Sequence, residues 1–307
     1  MIRMGTRRGR WRVAVGLAVV VGAGGVVAGN YGVVHAQDNV VQLFMRVVDA
    51  TGTPVTDLQA EDFAIEEGGV ACTVVRSEFV NEPLRLAILL DDSGGASSYL
   101  QQLRRALPQF VDGLPDGQIA LVLLADRPRT TVDYTDGPEK LREAIEGFFV
   151  QRTASSKLFD GLLESIDDLT DEARWPVMAI ITTDGPEGSN FSERRAEGFR
   201  DTLSEQSVTV HSVVLQTFQG GNFQPNYVEF LSNTTGGWND ALASASAALT
   251  DKLAEMAAEI SRRHAEASNR YVLTIERPDV PEGAEFSIAV RREGLTLLGA
   301  SFDGRPR

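Results

Sequence analysis

The sequence predicts an α/β protein: a doubly wound, mainly parallel sheet with helices on both faces, plus small β modules at the N- and C-terminal ends. Three observations lead there. Apolar runs at residues 86–90 and 119–125 are unbroken enough to be strands buried on both faces, and residues 177–183 and 208–215 read as further strands. Between them apolar residues recur every three or four positions, the spacing of one helical face. Outside that region the period drops to two, as in Val41, Leu43, Met45 and Val47.

The chain has 307 residues, 43% of them apolar, which is enough for a real core. Residues 1–36 read as an export signal. Arg3, Arg7, Arg8, Arg10 and Arg12 precede an uncharged stretch over residues 13–29, and Val34-His35-Ala36 offers small residues where a signal peptidase cuts. The competing reading is an uncleaved anchor, for which that stretch is short. Cleavage after Ala36 would remove five positive and no negative charges, taking the net charge from −14 to −19. So acidic a chain repels nucleic acid and anionic lipid. A membrane contact is expected only if the leader stays attached. Cys72 is the sole cysteine, so an internal disulfide is excluded; its apolar surroundings suggest a small buried side chain.

Taken in order, residues 37–81 form a small β module with turns at residues 49–54 and 66–69. Residues 82–264 carry the strand–helix alternation. Leu100, Leu103, Leu107 and Phe110 mark a helix that Pro108 should kink or shorten. Residues 130–132 suit an edge strand. Leu141, Ile145 and Phe148 mark one helix, and Leu158, Leu162 and Ile166 another. Residues 191–203 read as helical, and residues 240–264 as one long helix ending at His264, where a cation would suit the dipole. Residues 265–307 form a C-terminal β strip. Neither terminal β segment is large enough to be stable alone, so the two are expected to pair.

The first buried strand ends in Asp91-Asp92-Ser93-Gly94-Gly95. Ser155-Ser156-Lys157-Leu158-Phe159-Asp160 opens a helix, and Ile180-Ile181-Thr182-Thr183-Asp184-Gly185 ends another strand. All three fall on the C-terminal edge of one sheet, where open α/β folds place their sites. Together they resemble the von Willebrand factor A family, whose metal-ion-dependent adhesion site (MIDAS) is built on D-x-S-x-S, T-x-L-Y-D and T-D-G. The resemblance covers about residues 84–264, and the flanking segments resemble those of exported bacterial VWFA-related proteins.

That resemblance implies a Mg²⁺ site, or Mn²⁺ or Ca²⁺ in its place. Ser93 and Ser156 would ligate directly, and Asp91 and Asp184 would supply charge directly or through water. Few anionic ligands leave such a cation able to take a carboxylate from a partner protein or peptide. Two departures matter. Gly95 stands where the pattern has a second serine, and Ser156 stands for threonine. The alternative is therefore a degenerate site in a metal-free scaffold, with Asp91 and Asp184 as capping and loop carboxylates. Asp92 is expected to face solvent or cap the helix, and Asp160 to make a structural hydrogen bond. Glu187 is either close to the site or an ordinary loop acid, and His211 a core residue. No G-x-S-x-G, H-E-x-x-H, Walker A or C-x-x-C pattern occurs. A hydrolase using Asp91, Asp92 and Asp184 is a distant third reading; the expectation is a non-enzymatic adhesion or assembly module outside the cytoplasm.

Overall fold

The structure is a computed structural model that describes residues 27–29, 39–171, 173, 175–217, 220–243, 248–281 and 283–302. The strands are β1 (Val27–Gly29), β2 (Val40–Val48), β3 (Phe63–Glu67), β4 (Val70–Ala71), β5 (Thr73–Val80), β6 (Leu84–Leu90), β7 (Gly117–Leu123), β8 (Arg129–Val132), β9 (Val177–Thr183), β10 (Thr209–Gln216), β11 (Asn239–Ala243), β12 (Arg270–Glu276), β13 (Phe286–Val290) and β14 (Thr296–Ser301). The helices are α1 (Leu100–Asp112), α2 (Pro138–Glu146), α3 (Leu158–Thr170), α4 (Glu193–Glu205), α5 (Phe223–Thr235) and α6 (Ala248–Ser268). The described residues fall into two units, one from residues up to 80 and from 269 onward, the other spanning residues 81–268. The predicted leader and its cleavage position lie outside the described residues, apart from the β1 backbone, which pairs antiparallel with β13.

The first unit is made of two four-stranded sheets, ordered β1-β13-β3-β4 and β14-β2-β12-β5. Strand β2 lies between β12 and β14, so the segments on either side of the α/β region in sequence form one body. Leu43, Met45, Ile65, Tyr271, Leu273 and Ile288 share its core. Leu58 N donates to the Tyr271 hydroxyl at 2.9 Å. Glu67 is buried, and Arg277 neutralises it through both guanidinium branches, one at 2.8 Å. A buried carboxylate needs such a fork to offset its desolvation. Cys72 is half-buried rather than buried, lying between the short edge strand β4 and β5; its thiol is pushed up to about 11 by burial.

The second unit has one six-stranded sheet, ordered β11-β10-β9-β6-β7-β8, parallel except for the antiparallel edge strand β8. Along β6, Leu86, Ile88 and Leu90 enter one core while Ala87 and Leu89 enter the other. That explains the unbroken apolar runs: both faces are covered. Helices α1, α2 and α6 cover the first face, and α3, α4 and α5 the second. From β6 the chain first adds β7 on one side and later β9 on the other. The C-terminal ends of β6 and β9 therefore flank the point where strand order reverses, the crevice in which such sheets place ligands.

Three expectations change. Residues 240–264 are not one helix: residues 239–243 pair with β10 as β11, and α6 begins at Ala248. The sheet edge offered backbone hydrogen bonds that outweighed helical spacing. Pro108 does not shorten α1, which runs through it to Asp112, held by buried Leu103, Leu107, Phe110 and Val111. His264 is not a helix-end cation. It lies in the body of α6, 9% exposed, with burial lowering its pKa below the usual imidazole range.

His211 sits inside β10, 1% exposed, and its Nδ1 accepts from Trp238 N at 3.2 Å. Burial, aided by the Arg263 charge, lowers its pKa from 6.5 to about 4. Between those values the unfolded chain binds the proton and the folded chain does not, so His211 costs stability as pH falls through that window. In His211→Asn, whose side-chain oxygen can take over the Trp238 bond, the stability–pH curve should be flatter from pH 6.5 to 4, by up to about 1.4 kcal/mol per pH unit. Denaturant titrations of both proteins across that range check this; parallel curves would contradict it.

Candidate metal centre

The turn after β6 is tied down before any ligand question arises. Asp91 N donates to Ile181 O at 2.9 Å, extending the β6–β9 pairing by one residue. Asp91 Oδ1 accepts from Ser93 N at 2.9 Å, and Oδ2 from the Thr183 hydroxyl at 2.7 Å. Gly94 N donates to Ala154 O at 3.0 Å, and Gln151 N to Asp92 O at 2.7 Å, so residues 151–156 lie alongside this turn. Ser156 N reaches Pro186 O at 3.1 Å and Gly188 N reaches Ser156 O at 2.7 Å, which brings in the segment after β9. The three motif segments thus form one continuous backbone mesh, within which Asp91, Ser93 and Ser156 are at most 1% exposed.

Asp92 does not face solvent. It is wholly buried, and its carboxylate accepts from Ala125 N at 2.6 Å, Arg129 at 2.7 Å and Gln151 Nε2 at 3.1 Å. Pairing with Arg129 and an amide explains how a charge survives there. Asp92 is the clamp that fixes the turn, and its oxygens are spent. Glu187 caps α3: Oε2 accepts from Leu158 N at 3.2 Å and Oε1 from Ser189 N at 2.8 Å. Burial raises its pKa despite those bonds, with the Asp91 charge adding to the shift. Asp160 lies in the first turn of α3 and meets Arg195 at 3.5 Å.

Two hydroxyls are left over. The Ser156 hydroxyl is buried with no hydrogen-bond partner, and the Ser93 hydroxyl is buried with no bond of normal geometry, although it sits close enough to pull on the Asp91 carboxyl. A buried hydroxyl without a partner costs about 1–3 kcal/mol, so two in one mesh call for a ligand. Burial also pushes the Asp91 carboxyl up, against the pull of Ser93 and Thr183, so the mesh lacks positive charge at that point. Neutral hydroxyl oxygens beside a carboxylate suit a hard divalent cation. Among the described residues no cluster of three or more His, Cys, Asp or Glu could hold a metal. Asp184 is near-buried but turned to the next loop: Oδ1 accepts from Thr217 N at 2.7 Å, and Gly221 N donates to its carbonyl at 2.7 Å. Its carboxylate makes no direct bond to Asp91, Ser93 or Ser156, which suits a role through water.

Sequence reasoning assigned no role to Thr183, the residue that holds Asp91. Its position directly before Asp184 was the available signal.

If the two hydroxyls await a cation, removing either leaves the cation-free fold intact. Ser93→Ala and Ser156→Ala should show, in EDTA, a thermal midpoint equal to or above that of the parent, because an unsatisfied polar atom is deleted. The rise produced by millimolar Mg²⁺ should disappear in both. A midpoint several degrees lower in EDTA would instead make the hydroxyls part of the fold's own bonding.

No protein-family model matches the chain, and no curated protein matches it. Solved structures similar to it include a von Willebrand factor type A protein from Catenulispora acidiphila, 16% identical, covering 82% of this chain and 77% of that one with a TM-score of 0.48. BatB from Bacteroides thetaiotaomicron is 10% identical, covering 58% of this chain and 99% of its own, with a TM-score of 0.44. Proximal thread matrix protein 1 from the mussel byssus, with a zinc-occupied MIDAS motif, is 13% identical over 58% of this chain and 49% of its own, at 0.45. Von Willebrand A proteins are thus among the solved structures this chain is similar to.

Proposed function

We propose that the chain is a non-enzymatic, extracytoplasmic protein-binding module that grips an acidic residue of a partner protein or peptide through a divalent cation. The observation that carries this reading is the pair of buried hydroxyls without a normal hydrogen bond, Ser93 and Ser156, in the mesh with Asp91. Ser93 and Ser156 would hold Mg²⁺, or Mn²⁺ or Ca²⁺, directly; Asp91 and Asp184 would supply negative charge around it. The cation, when bound, supplies an electrophilic position for a partner's carboxylate. The chain's own residues then do the positioning. Asp92 pins the turn through Arg129, Thr183 orients Asp91, and Glu187 fixes the start of α3 next to Ser156. For an extracytoplasmic place the support is the N-terminal leader pattern. Among the described residues no helix is long and apolar enough to cross a membrane.

One observation favours a second reading. Gly95 offers no hydroxyl, and both Asp91 oxygens already accept hydrogen bonds. A domain in that condition could serve as a metal-free scaffold.

Titration calorimetry of the full chain with Mg²⁺ and Mn²⁺ separates the two. The cation reading predicts saturable binding, lost in Asp184→Ala, and partner capture that chelator abolishes. Partner capture that survives both EDTA and Asp184→Ala establishes the scaffold instead.

A further inference from the structure

The sheet sets the order of what surrounds the candidate metal centre. Four of its strands run β10-β9-β6-β7, so the segments leaving their C-terminal ends follow one another in that order along one edge. Asp91 follows β6 and Asp184 follows β9, in the middle of that row. On one side stand aromatic rings. Phe191, in the segment after β9, is 43% exposed, and Phe223, the first residue of α5 after β10, is 36% exposed. Their ring centroids are 4.9 Å apart. Phe191 also meets Phe159 at 4.8 Å, and Phe223 stacks on Tyr227 at 5.7 Å. Phe159 is buried at the start of α3, the same helix start that follows Ser156. Just before Phe223, Gly221 N donates to Asp184 O at 2.7 Å. The ring cluster is therefore rooted in the mesh on both of its flanks.

The other side is cationic. Arg127 comes after β7, next to Asp126, whose N donates to Ser155 O at 3.0 Å. Arg152 lies beside the Asp91 turn: its carbonyl oxygen would stand 2.5 Å from a Cβ built on Gly94. Both arginines are exposed, and neither is in an ion pair among the described residues. Asp126 offsets one of the two charges, and the other is unmatched on a chain of net charge −14. Two copies of so acidic a chain repel one another, whereas an unmatched arginine draws an acidic partner. Charge thus selects against a second copy as the cover for the exposed rings.

We infer that this edge is one docking surface for an extended acidic segment of a partner protein that carries an apolar side chain two positions from its acid. The acid sits at the centre, the apolar side chain lies on Phe191 and Phe223, and a further acid faces Arg152. The dimensions fit. Neighbouring strands are about 4.8 Å apart, so the row from β10 to β7 spans about 14 Å, the length of four or five extended residues. Side chains two positions apart in such a segment point to the same side. The acid's seat at the centre rests on the reading given under Proposed function; the contacts with the rings and with Arg152 do not.

The test titrates the full chain, in millimolar Mg²⁺, into a fluorescein-labelled octapeptide of serine and glycine that carries phenylalanine, aspartate and glutamate at alternating positions. Fluorescence polarisation gives the affinity. A second peptide has serine in place of the phenylalanine. The parent should prefer the phenylalanine peptide about tenfold. Phe191→Ser and Phe223→Ser should lose that preference while binding the serine peptide as the parent does; Phe223→Ser keeps the test readable if Phe191→Ser does not fold. Arg152→Glu should weaken both peptides about threefold at low salt, and added salt should narrow that gap. No saturable binding, no preference for phenylalanine, or a preference that survives in both variants would overturn the inference. So would a concentration-dependent dimer of the parent that Phe191→Ser abolishes, which would assign the rings to a second copy. If EDTA leaves affinity and preference unchanged, the cation reading fails and the surface stands. If EDTA abolishes binding but both phenylalanine variants keep the parent's preference, only the inference fails.

Discussion

Asp91 and Thr183 end adjacent parallel strands, and the 2.7 Å bond between their side chains joins those strands past the last rung of the sheet. Much of the site follows from it. It fixes a carboxylate at the crevice where strand order reverses and draws the turn after β6 against the turn after β9, where Gly95 and Gly185 come close together. A carboxylate placed there is deprived of water, and burial raises the Asp91 pKa. A charge so held gains more from a nearby cation than an exposed one would, because solvent no longer screens it.

The surrounding acids divide by what already neutralises them. Asp92 has a guanidinium, a backbone amide and a side-chain amide, and is structural. Glu187 has two backbone amides and serves the helix start. Asp184 has one amide on one oxygen and faces the loop after β10. Only Asp91 combines near-complete burial with neighbouring hydroxyls that nothing else uses. On the proposed reading, this division leaves Asp91 as the carboxylate of a cation seat in a chain of net charge −14.

The sheet was legible because strands covered on both faces leave unbroken apolar runs, as in β6 and β9, where burial is nearly complete. The helices were legible where they present apolar residues every three or four positions, as α3 does. Helix α5 was not, since two of its four buried residues, Gln224 and Ser232, are polar and satisfied by bonds that no spacing announces. Strand β11 was misread because it buries only Leu242 and is held by backbone pairing to β10. At the candidate site, the family resemblance pointed to Asp91, Ser93, Ser156 and Asp184, and the fold brings the first three into one mesh. The resemblance could not say that Asp92 turns inward to Arg129, a partner 37 positions away, nor that Thr183 on another strand holds Asp91. Those facts depend on tertiary approach and have no local signature.

The account stands or falls on the Ser93 and Ser156 hydroxyls being cation ligands. Anomalous scattering from crystals of the full chain grown with Mn²⁺ locates the ion directly. The account predicts one strong peak within about 2.2 Å of both serine oxygens, with Asp91 and Asp184 close by. A saturated crystal with no peak there, or with Mn²⁺ bound at some other group of acids while both hydroxyls keep water or protein partners, would contradict it.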